Sequence, residues 1–494
     1  MPVAIVVSSN ARALFEVLAV DRDGQRFVLD ADGERLDRTA LRGRVAATIA
    51  ALRARGVEPP ARVALLTQPG AETPIAAAAA VAAGYVLVPL SAGATEQELG
   101  HVVRDAQPRA VLCADPSALR IDAADLPLLR VPRTAVDAPV VVRDADDEPA
   151  LVLYTSGTTS HPRGVVHGAR ALCASLDALA TRWGWTDRDV IVHALPMFHV
   201  HGLVVGWFGA LRRAGALVWR SRFDPAVVAD ALQAHAPAVL FAVPTMLHRL
   251  GAAASGPNGD AIVRALRSAR MIVSGSAPLP ERDRRRIEAL SGRPVVQRYG
   301  STETLIVTAQ QPGAAAAGAV GRPLDGVEVA ILDESGRVHD AHSLEVTGEV
   351  VVRGPTSMRG YLGSATPVDA DGWLHTGDVG YFGADGELRL IGRRELDVIK
   401  SGGFRVGAAE VEASLLEHDA VAEVAVVGLP DEDLGERIVA FVVPTDRSAL
   451  DAERLLRWAS ERLARHKRPR ELRLVETLPR NAMGKIDKRA LRRG

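Results

Sequence analysis

Short apolar runs alternate with longer alanine-rich stretches of helical period through the N-terminal part of the chain. The clearest apolar runs are Arg62–Thr67, Arg109–Cys113, Ala150–Tyr154, Val190–Ala194, Ala238–Val243, Met271–Ser274 and Val295–Tyr299. Such alternation predicts parallel sheets covered by helices, with ligands gathered at the carboxyl ends of the strands. The run Pro74–Leu90 is mostly alanine and is interrupted by Gly84 and Pro89. We predict a buried helix and a strand there, because the run is marginal for a membrane span of roughly 20 residues.

The pattern changes in the second half of the chain. From about Gly318, short strands such as Gly326–Asp333 and Gly348–Gly354 are separated by Gly and Asp turns, which predicts a smaller β subdomain. We therefore predict an α/β fold with a large N-terminal domain over residues 1–392, made of two helix-flanked sheets and this β subdomain.

A second change follows Gly392-Arg393. The last hundred or so residues carry signals of their own, including a helix over Ala408–Glu417 and a strand over Glu423–Val427. We predict a small C-terminal α+β domain over residues 393–494.

Composition and charge limit the classes of protein. The chain has 494 residues, 48% apolar and 24% charged, which is typical of a globular protein with at least two domains. Its 59 basic and 60 acidic residues give a net charge of -1, so no global field attracts nucleic acid or anionic lipid. Two cysteines in unrelated segments, Cys113 and Cys173, and an N-terminus without signal-peptide features predict a cytoplasmic location.

Lysine is rare in this chain. Only Lys400, Lys467, Lys485 and Lys488 are lysines, against 55 arginines. Where arginine supplies most positive charge, a retained lysine is a candidate for a role that needs a compact ammonium group. The alternative is chance retention near the surface.

The first motif is a hydroxyl-rich and glycine-rich segment, Tyr154-Thr-Ser-Gly-Thr-Thr-Ser-His-Pro-Arg-Gly164, between an apolar strand and a helical pattern. Its backbone N–H groups, its hydroxyls and Arg163 can surround phosphate oxygens. It lacks the spacing of a Walker loop, so an ordinary P-loop NTPase is disfavoured. A solvated Ser/Thr turn is the alternative.

Two further motifs fit a bound nucleotide. Arg298-Tyr-Gly-Ser-Thr-Glu-Thr304 follows a predicted strand; Glu303 suits magnesium and Tyr299 offers a flat face to a base. The alternative is a helix start capped by Ser301 or Thr302. In Leu374-His-Thr-Gly-Asp378 the carboxylate can accept ribose hydroxyls, although Gly-Asp is also a common turn.

The last two motifs contain rare lysines. Lys400-Ser-Gly-Gly-Phe-Arg-Val-Gly-Ala-Ala-Glu-Val-Glu412 is a glycine-rich loop that opens an amphipathic helix, and Pro479-Arg-Asn-Ala-Met-Gly-Lys485 lies near the end. In this order the five motifs resemble the adenylate-forming superfamily of acyl-CoA synthetases, luciferases and adenylation domains. The resemblance covers essentially the whole chain.

Several segments are similar to the malonyl-CoA synthetase branch of that superfamily. They are Leu195-Pro-Met-Phe-His-Val-His-Gly-Leu203, Val243-Pro-Thr-Met-Leu-His-Arg249, Val273-Ser-Gly-Ser-Ala-Pro-Leu279, Arg298-Tyr-Gly and Pro430-Asp-Glu-Asp-Leu-Gly-Glu-Arg437. In that branch the arginine that matches Arg249 grips the distal carboxylate of malonate or methylmalonate. The resemblance also implies a C-terminal domain that swings about a hinge at Glu395.

The resemblance implies a role for each matching position. The residues implied for ATP phosphates and magnesium are Thr155, Ser156, Gly157, Thr158, Thr159, Arg163, Thr302 and Glu303, with Glu303 as the metal residue. Those for adenine, ribose and the acyl pocket walls are Gly275, Ser276, Ala277, Tyr299, Gly300, Asp378 and Arg393. Those for the acid are His199, Arg249 and Ser276, those for the thiol path are Lys400, Gly402 and Gly403, and Lys485 is implied to catalyse adenylation.

The implied activity is an acid–CoA ligase that forms malonyl-CoA, and methylmalonyl-CoA as well, from the dicarboxylic acid, ATP, Mg²⁺ and coenzyme A through an acyl adenylate. His199 stands where amino-acid-activating relatives carry Asp, which argues against an amino acid. Arg249 follows Thr245 by four residues on one helical face, where a desolvated cation would require an anionic substrate tail. A surface position for Arg249 is the alternative.

Two other functions stay open. One is a short-chain or aryl carboxylate–CoA ligase. The other is a nucleotide-binding protein that has lost turnover, because Ser160 and Arg163 replace the Gly and Lys usual in the superfamily's phosphate loop.

Overall fold

The computed structural model describes most of the chain. The described residues are 14–18, 27–121, 126–142, 148–155, 162–344, 346–364, 367–394, 397–446, 451–480 and 486–493. The strands are β1 (Phe27–Ala31), β2 (Glu34–Asp37), β3 (Arg62–Thr67), β4 (Val86–Ser91), β5 (Ala110–Cys113), β6 (Leu128–Arg130), β7 (Pro149–Thr155), β8 (Arg163–Gly168), β9 (Val190–His193), β10 (Ala216–Trp219), β11 (Val239–Ala242), β12 (Met271–Ser274), β13 (Val295–Ser301), β14 (Leu305–Ala309), β15 (Arg322–Pro323), β16 (Glu328–Leu332), β17 (Val338–His339), β18 (Gly348–Arg353), β19 (Gly360–Tyr361), β20 (Leu374–Phe382), β21 (Leu388–Arg393), β22 (Val398–Ser401), β23 (Phe404–Gly407), β24 (Val421–Asp431), β25 (Gly435–Pro444) and β26 (Glu471–Leu474).

The α-helices cover these strands. They are α1 (Arg38–Arg53), α2 (Glu72–Ala82), α3 (Glu96–Ala106), α4 (Ala169–Trp183), α5 (Gly209–Arg212), α6 (Pro225–Ala234), α7 (Pro244–Ala253), α8 (Gly259–Ser268), α9 (Glu281–Ser291), α10 (Ala408–Leu416), α11 (Ala452–Arg462) and α12 (Lys488–Arg493). A π-helix over Val200–Phe208 precedes α5.

Two large sheets form the N-terminal part, as the alternating pattern predicts. One has the order β15-β14-β13-β12-β11-β9-β10-β1-β2, and the other has the order β19-β8-β7-β4-β3-β5-β6. Their central strands are parallel, whereas β2, β8, β14, β15 and β19 pair antiparallel at or near the edges. Purely parallel sheets are therefore the wrong expectation, because apolar runs mark buried strands without fixing their direction.

Individual elements lie close to their predicted positions. The run Pro74–Leu90 divides into α2, buried throughout, and β4. Both cysteines are buried free thiols. Among the described residues, no helix has the length and apolar character needed to cross a membrane.

The later part of the chain forms two antiparallel-rich sheets. The predicted β subdomain is the sheet β17-β16-β18-β20-β21, and the C-terminal sheet has the order β23-β22-β25-β24 with β26 parallel to β25. The C-terminal sheet has its own apolar core, including Ile399, Val426 and Leu455. This mixed architecture confirms the predicted fold class. The boundary at residue 392 stays a prediction, and Arg393 is the last residue of β21 in the β subdomain.

Candidate active site

Glu303 lies in a tight turn at the carboxyl end of β13. The turn joins β13 to the antiparallel strand β14, and a Cβ at Gly300 would overlap the carbonyl oxygen of Leu305, so only glycine fits there. The alternative of a capped helix start at Ser301 or Thr302 is wrong, because a strand follows. Thr302 and Glu303 are half-buried on this turn.

A tyrosine links Glu303 to the predicted phosphate loop. The hydroxyl of Tyr361 donates a hydrogen bond to Oε1 of Glu303 at 3.2 Å and accepts one from Nη2 of Arg163 at 3.0 Å. The guanidinium of Arg163 also stacks 3.8 Å from the centre of the Tyr361 ring. We call Arg163, Tyr361 and Glu303 the clasp. Burial, together with Glu303, raises the pKa of Tyr361 to about 12, so the hydroxyl is protonated at neutral pH.

The phosphate loop is described at its two ends. Thr155 pairs with Arg163 across β7 and β8, and residues 156–161, which include Ser156, Gly157, Thr158 and Thr159, lie outside the described residues. The strand β8 follows the loop before α4 begins, so the expected direct passage from loop to helix is wrong.

The residues present fit phosphate and magnesium. The buried Oγ1 of Thr155 has no hydrogen-bond partner among the described residues, and Arg163 is an exposed cation beside it. Magnesium in nucleotide sites is commonly held by one or two carboxylates and by substrate phosphates, so a single Glu303 suffices. Within the described segments no group of three or more metal-ligating side chains occurs, which a dedicated metal cage would require.

Tyr299, Asp378 and Arg393 form one network, in which Tyr299 and Asp378 are buried and Arg393 is partly exposed. The hydroxyl of Tyr299 donates to Oδ2 of Asp378 at 2.6 Å, and Nε of Arg393 lies 2.8 Å from Oδ1. Burial raises the pKa of Asp378, although Arg393 and the Tyr299 hydrogen bond act in the opposite direction. Each carboxylate oxygen keeps a further lone pair, so Asp378 can still accept ribose hydroxyls.

His167 positions the turn that carries Thr302. Its Nε2 donates to the carbonyl oxygen of Thr302 at 2.6 Å, and burial lowers the pKa of His167 to about 4. The ring is therefore neutral at pH 7. Sequence reasoning missed His167, because nothing in its apolar strand indicates a contact 135 residues away.

Arg298 is a second residue that sequence reasoning did not assign to the site. Its side chain is buried, and its Nε and Nη2 have no hydrogen-bond partner among the described residues. Burial lowers the pKa of Arg298 to about 10, so it is still a cation at pH 7. A Cβ at Gly275 would lie 2.6 Å from Cζ of Arg298, so glycine is needed for the guanidinium to fit. The sequence feature that could have identified Arg298 is a charged residue within an otherwise apolar strand.

Buried His201, on the π-helix, lies close enough to Arg298 for the two side chains to interact electrostatically. Both of its ring nitrogens have no hydrogen-bond partner among the described residues. Burial and then Arg298 lower the pKa of His201 well below its usual value, so its ring is neutral. We call Arg298, His201 and Gly275 the Arg298 pocket; it offers a positive charge and one ring N–H to an anion.

The predicted acid-binding residues have different surroundings. His199 is half-buried at the start of the π-helix, with its ring 4.3 Å from that of Phe198. Ser276 and Ala277 are exposed just after Gly275, and Ser276 has a φ of 73°. Both residues therefore directly follow Gly275, a residue of the Arg298 pocket, in the sequence.

Arg249 does not have the buried position that was expected. It shares a face of α7 with Thr245, as predicted, but both residues are exposed, because Leu247 and Leu250 occupy the face that packs on the core. The argument from desolvation at Arg249 is therefore wrong. Its proposed contact with the acid stays a prediction.

The Lys400 motif forms a hairpin rather than a simple loop. Gly402 and Gly403 have φ angles of 57° and 81° between β22 and β23, which is the geometry of a two-residue type I′ turn. Lys400 is exposed, and it borders a cavity of about 490 Å³ that Arg394, Val398, Gly435 and Glu436 also line. A thiol path along this hairpin stays a prediction.

Lys485 and Glu395 lie outside the described residues. Three positions after Lys485, the ammonium of Lys488 binds Oδ1 of Asp397 at 2.6 Å and Oε1 of Glu412 at 2.7 Å. The other oxygen of Asp397 accepts the backbone N–H of Arg393 at 3.1 Å. The start of α12 is thereby tied to the segment after β21.

The fold and this nucleotide-type site define an adenylate-forming enzyme. Residues 16–362 match the family model of AMP-binding enzymes, and residues 410–485 match that of the AMP-binding enzyme C-terminal domain. The chain belongs to the AMP-binding enzyme family.

Known relatives narrow the class to acid–CoA ligases. The chain is 35% identical to the mitochondrial malonate–CoA ligase of Bos taurus over 474 residues, covering 87% of this chain and 80% of that protein. It is 34% identical to the indoleacetate–CoA ligase of Aromatoleum aromaticum, covering 91% of each chain.

A solved malonyl-CoA ligase in a ternary product complex with methylmalonyl-CoA and AMP is 42% identical, with a TM-score of 0.70, covering 94% of this chain and 100% of that one. The predicted likeness to the adenylate-forming superfamily, close to malonyl-CoA synthetases, is confirmed.

Proposed function

We propose that this acid–CoA ligase forms malonyl-CoA from malonate, ATP and coenzyme A, and that it also accepts methylmalonate. The observation that carries the proposal is the buried side chain of Arg298, whose Nε and Nη2 have no hydrogen-bond partner among the described residues. Taking an ion from water without a partner costs several kcal/mol, and a substrate carboxylate would remove that cost. Malonate–CoA ligases among the relatives support the same substrate class.

The position of Arg298 also fits an acid with a second carboxylate. Its guanidinium occupies the space that a side chain at Gly275 would fill, and Gly275 immediately precedes the exposed Ser276 and Ala277. The one ring N–H of neutral His201 can donate a further hydrogen bond to the same carboxylate. A monocarboxylic acid would leave Arg298 and His201 without an acceptor, because it brings no distal carboxylate.

The first half-reaction forms a malonyl adenylate. One carboxylate oxygen of malonate attacks the α-phosphorus of ATP, and the bond to the departing pyrophosphate breaks. Thr155 and Arg163 would hold the phosphates, Glu303 would hold Mg²⁺, and Lys485 would contact the reacting carboxylate. A bound metal would supply charge neutralisation for the leaving pyrophosphate.

The second half-reaction transfers the acyl group to coenzyme A. The thiol, having lost its proton, attacks the acyl carbonyl, and the bond to AMP breaks. AMP leaves far more readily than a hydroxide from a free acid, which is why the carboxylate is activated first. Tyr299, Asp378 and Arg393 hold the nucleotide, and the hairpin with Lys400, Gly402 and Gly403 borders the thiol.

A panel of acids tests the proposal. ATP- and CoA-dependent AMP formation is measured with malonate, methylmalonate, succinate, propionate and indoleacetate at matched concentrations. We expect malonate and methylmalonate to give the highest kcat/KM. Higher kcat/KM with indoleacetate, which one relative's name suggests, or with propionate would replace the dicarboxylate proposal by an aryl or short-chain ligase. No AMP formation with any acid would favour a protein without turnover.

A further inference from the structure

We propose that Tyr361 is a positioning residue that keeps the Arg163 guanidinium and the Glu303 carboxylate apart, so that each stays available to its own ligand. The proposal rests on the assignment of Arg163 to ATP phosphates and of Glu303 to magnesium, and it does not depend on which acid is used.

The backbone fixes Tyr361 between the two charged residues. Strand β19 pairs antiparallel with β8, with Tyr361 opposite Val165, so its position is set relative to the strand that leaves the phosphate loop. On the other side, the N–H of Met358 donates to the carbonyl oxygen of Glu303 at 2.8 Å. The segment 358–362 therefore holds both sides of the clasp.

The Tyr361 hydroxyl is suited to a place between opposite charges. It accepts from Arg163 at 3.0 Å and donates to Glu303 at 3.2 Å, and its ring carries the guanidinium at 3.8 Å. A phenol can do both because its oxygen is donor and acceptor at once.

Without the phenol, arginine would pair with the acid. Arginine presents five donors in a fork that matches a carboxylate bidentately, whereas lysine is a point charge on a flexible stem. A direct pair would occupy the Glu303 oxygens that a cation needs and the donors that phosphate needs. The described structure contains no ion pair between Arg163 and Glu303.

Two substitutions separate the ring from the hydroxyl. Tyr361→Phe keeps the stacking surface and removes the hydrogen bonds, and Tyr361→Leu removes both. We expect the Mg²⁺ concentration that half-saturates ATP binding to rise about two- to threefold in Tyr361→Phe and about tenfold in Tyr361→Leu. ATP binding in the absence of Mg²⁺ should weaken less.

The measurement is titration calorimetry of ATP at a series of Mg²⁺ concentrations, without acid or coenzyme A. Tyr85→Phe is the matched control: it removes a buried hydroxyl bonded to the Val57 carbonyl at 2.7 Å, far from the clasp. Its Mg²⁺ dependence should equal that of the parent.

A double variant, in which Arg163 is replaced as well as Tyr361, gives the decisive test. If Tyr361→Leu weakens Mg²⁺ use because Arg163 pairs with Glu303, then adding Arg163→Gln should return the Mg²⁺ dependence to within about twofold of the parent. An unchanged Mg²⁺ dependence in Tyr361→Leu, or no recovery in the double variant, would overturn the proposal. Because no acid is present, failure here is distinct from failure of the malonate proposal.

Discussion

Single residues decide which acid the pocket can hold. The helical spacing of Thr245 and Arg249 pointed to the wrong buried cation, because spacing assigns a face without telling which face is buried. The structure instead buries Arg298, the fourth residue of the strand β13, against Gly275. The pocket's charge therefore comes from the sheet rather than from α7.

Arg298→Met should invert the acid preference. Methionine is similar in length and apolar, so it removes a buried cation that has no ion-pair partner among the described residues. The free energy of unfolding should therefore be unchanged or higher by about 1–3 kcal/mol. The charge-assisted contact with malonate, worth about 1.5–3 kcal/mol, is lost, and the distal carboxylate of malonate is left without a cation. We expect kcat/KM for malonate to fall at least about a hundredfold and that for propionate to fall far less or to rise.

Arg249→Ala is the comparison for that experiment. Exposed Arg249 should affect malonate by less than about tenfold if Arg298 is the main anion-binding group. A hundredfold loss in Arg249→Ala with a small loss in Arg298→Met would return the role to α7. Equal losses for both acids in Arg298→Met would make Arg298 structural.

The sequence identified those candidate site residues that lie close together in motifs. Tyr299, Glu303 and Asp378 were singled out because hydroxyls, glycines and charges cluster around them, whereas the role of Arg393 was implied by the resemblance to the superfamily. Tyr361 was missed, because its role exists only through contacts with Arg163 and Glu303, 198 and 58 residues away. His167 was missed for the same reason, whereas Arg298 had a sequence signal, a charge within an apolar strand, that was not used.

Short elements of the C-terminal region depend on a few polar contacts. Helix α12 has six residues, too few to be stable alone, and Lys488 at its start is bound by Asp397 and Glu412. Retention of lysine at this position thus has a structural reason. Lys467, by contrast, pairs with a half-exposed Glu410.

Lys488→Met should release α12. Removing one partner from a largely buried charge cluster leaves two carboxylates close together, and we expect a loss of about 2–4 kcal/mol of unfolding free energy for this region. Hydrogen exchange of residues 488–493 measures the release. Lys467→Met should change stability by less than about 1 kcal/mol, and equal effects of the two substitutions would contradict the assignment.

Gly403→Leu should affect thiol transfer more than adenylation. A side chain at this exposed turn would narrow the predicted thiol path, while the nucleotide residues lie on other elements. Pyrophosphate exchange should persist, and transfer from acyl adenylate to coenzyme A should fall about tenfold or more. Gly336→Leu is the control for backbone strain, since Gly336 has a φ of 82° and open space as well. Loss of pyrophosphate exchange in Gly403→Leu alone would give the hairpin another role.

The sequence predicts the positions of the strands more accurately than their directions. Strands β3 and β12 have the predicted bounds, because apolar runs flanked by turns mark buried strands. The antiparallel pairings of β8 and β14 were not foreseen, since direction depends on which strand lies alongside. The same limit applies to the hairpin at Lys400.

Buried neutral histidines make the whole molecule sensitive to acid. Burial lowers the pKa of His167 to about 4 and that of His193 to about 3, against 6.5 in the unfolded chain. Below pH 6.5 these histidines become protonated in the unfolded state but stay neutral in the folded state. The free energy of unfolding therefore decreases as the pH falls from 6.5 towards 4. At pH 5 the loss is about 2 kcal/mol for each histidine.

His167→Gln should reduce this acid sensitivity. Glutamine keeps an amide donor for the Thr302 carbonyl and does not titrate, so the stability difference between pH 7 and pH 5 should shrink by about 2 kcal/mol. Urea denaturation at both pH values measures it. Thr308→Val is the control: it removes a hydroxyl bonded to the Val320 carbonyl at 2.7 Å, does not titrate, and should leave the difference unchanged. An unchanged difference in His167→Gln would mean that His167 is protonated in the folded state.

The confinement of lysine to the C-terminal region gives the molecule a built-in reporter. Residues 1–399 contain no lysine, and of the described lysines Lys400 is exposed on its hairpin while Lys467 and Lys488 are engaged in ion pairs. A lysine-specific endoprotease therefore has no cleavage site before this hairpin. The rate of the first cleavage can be followed with and without nucleotide or coenzyme A. It measures the accessibility of the C-terminal region in each state and needs neither a label nor a substitution.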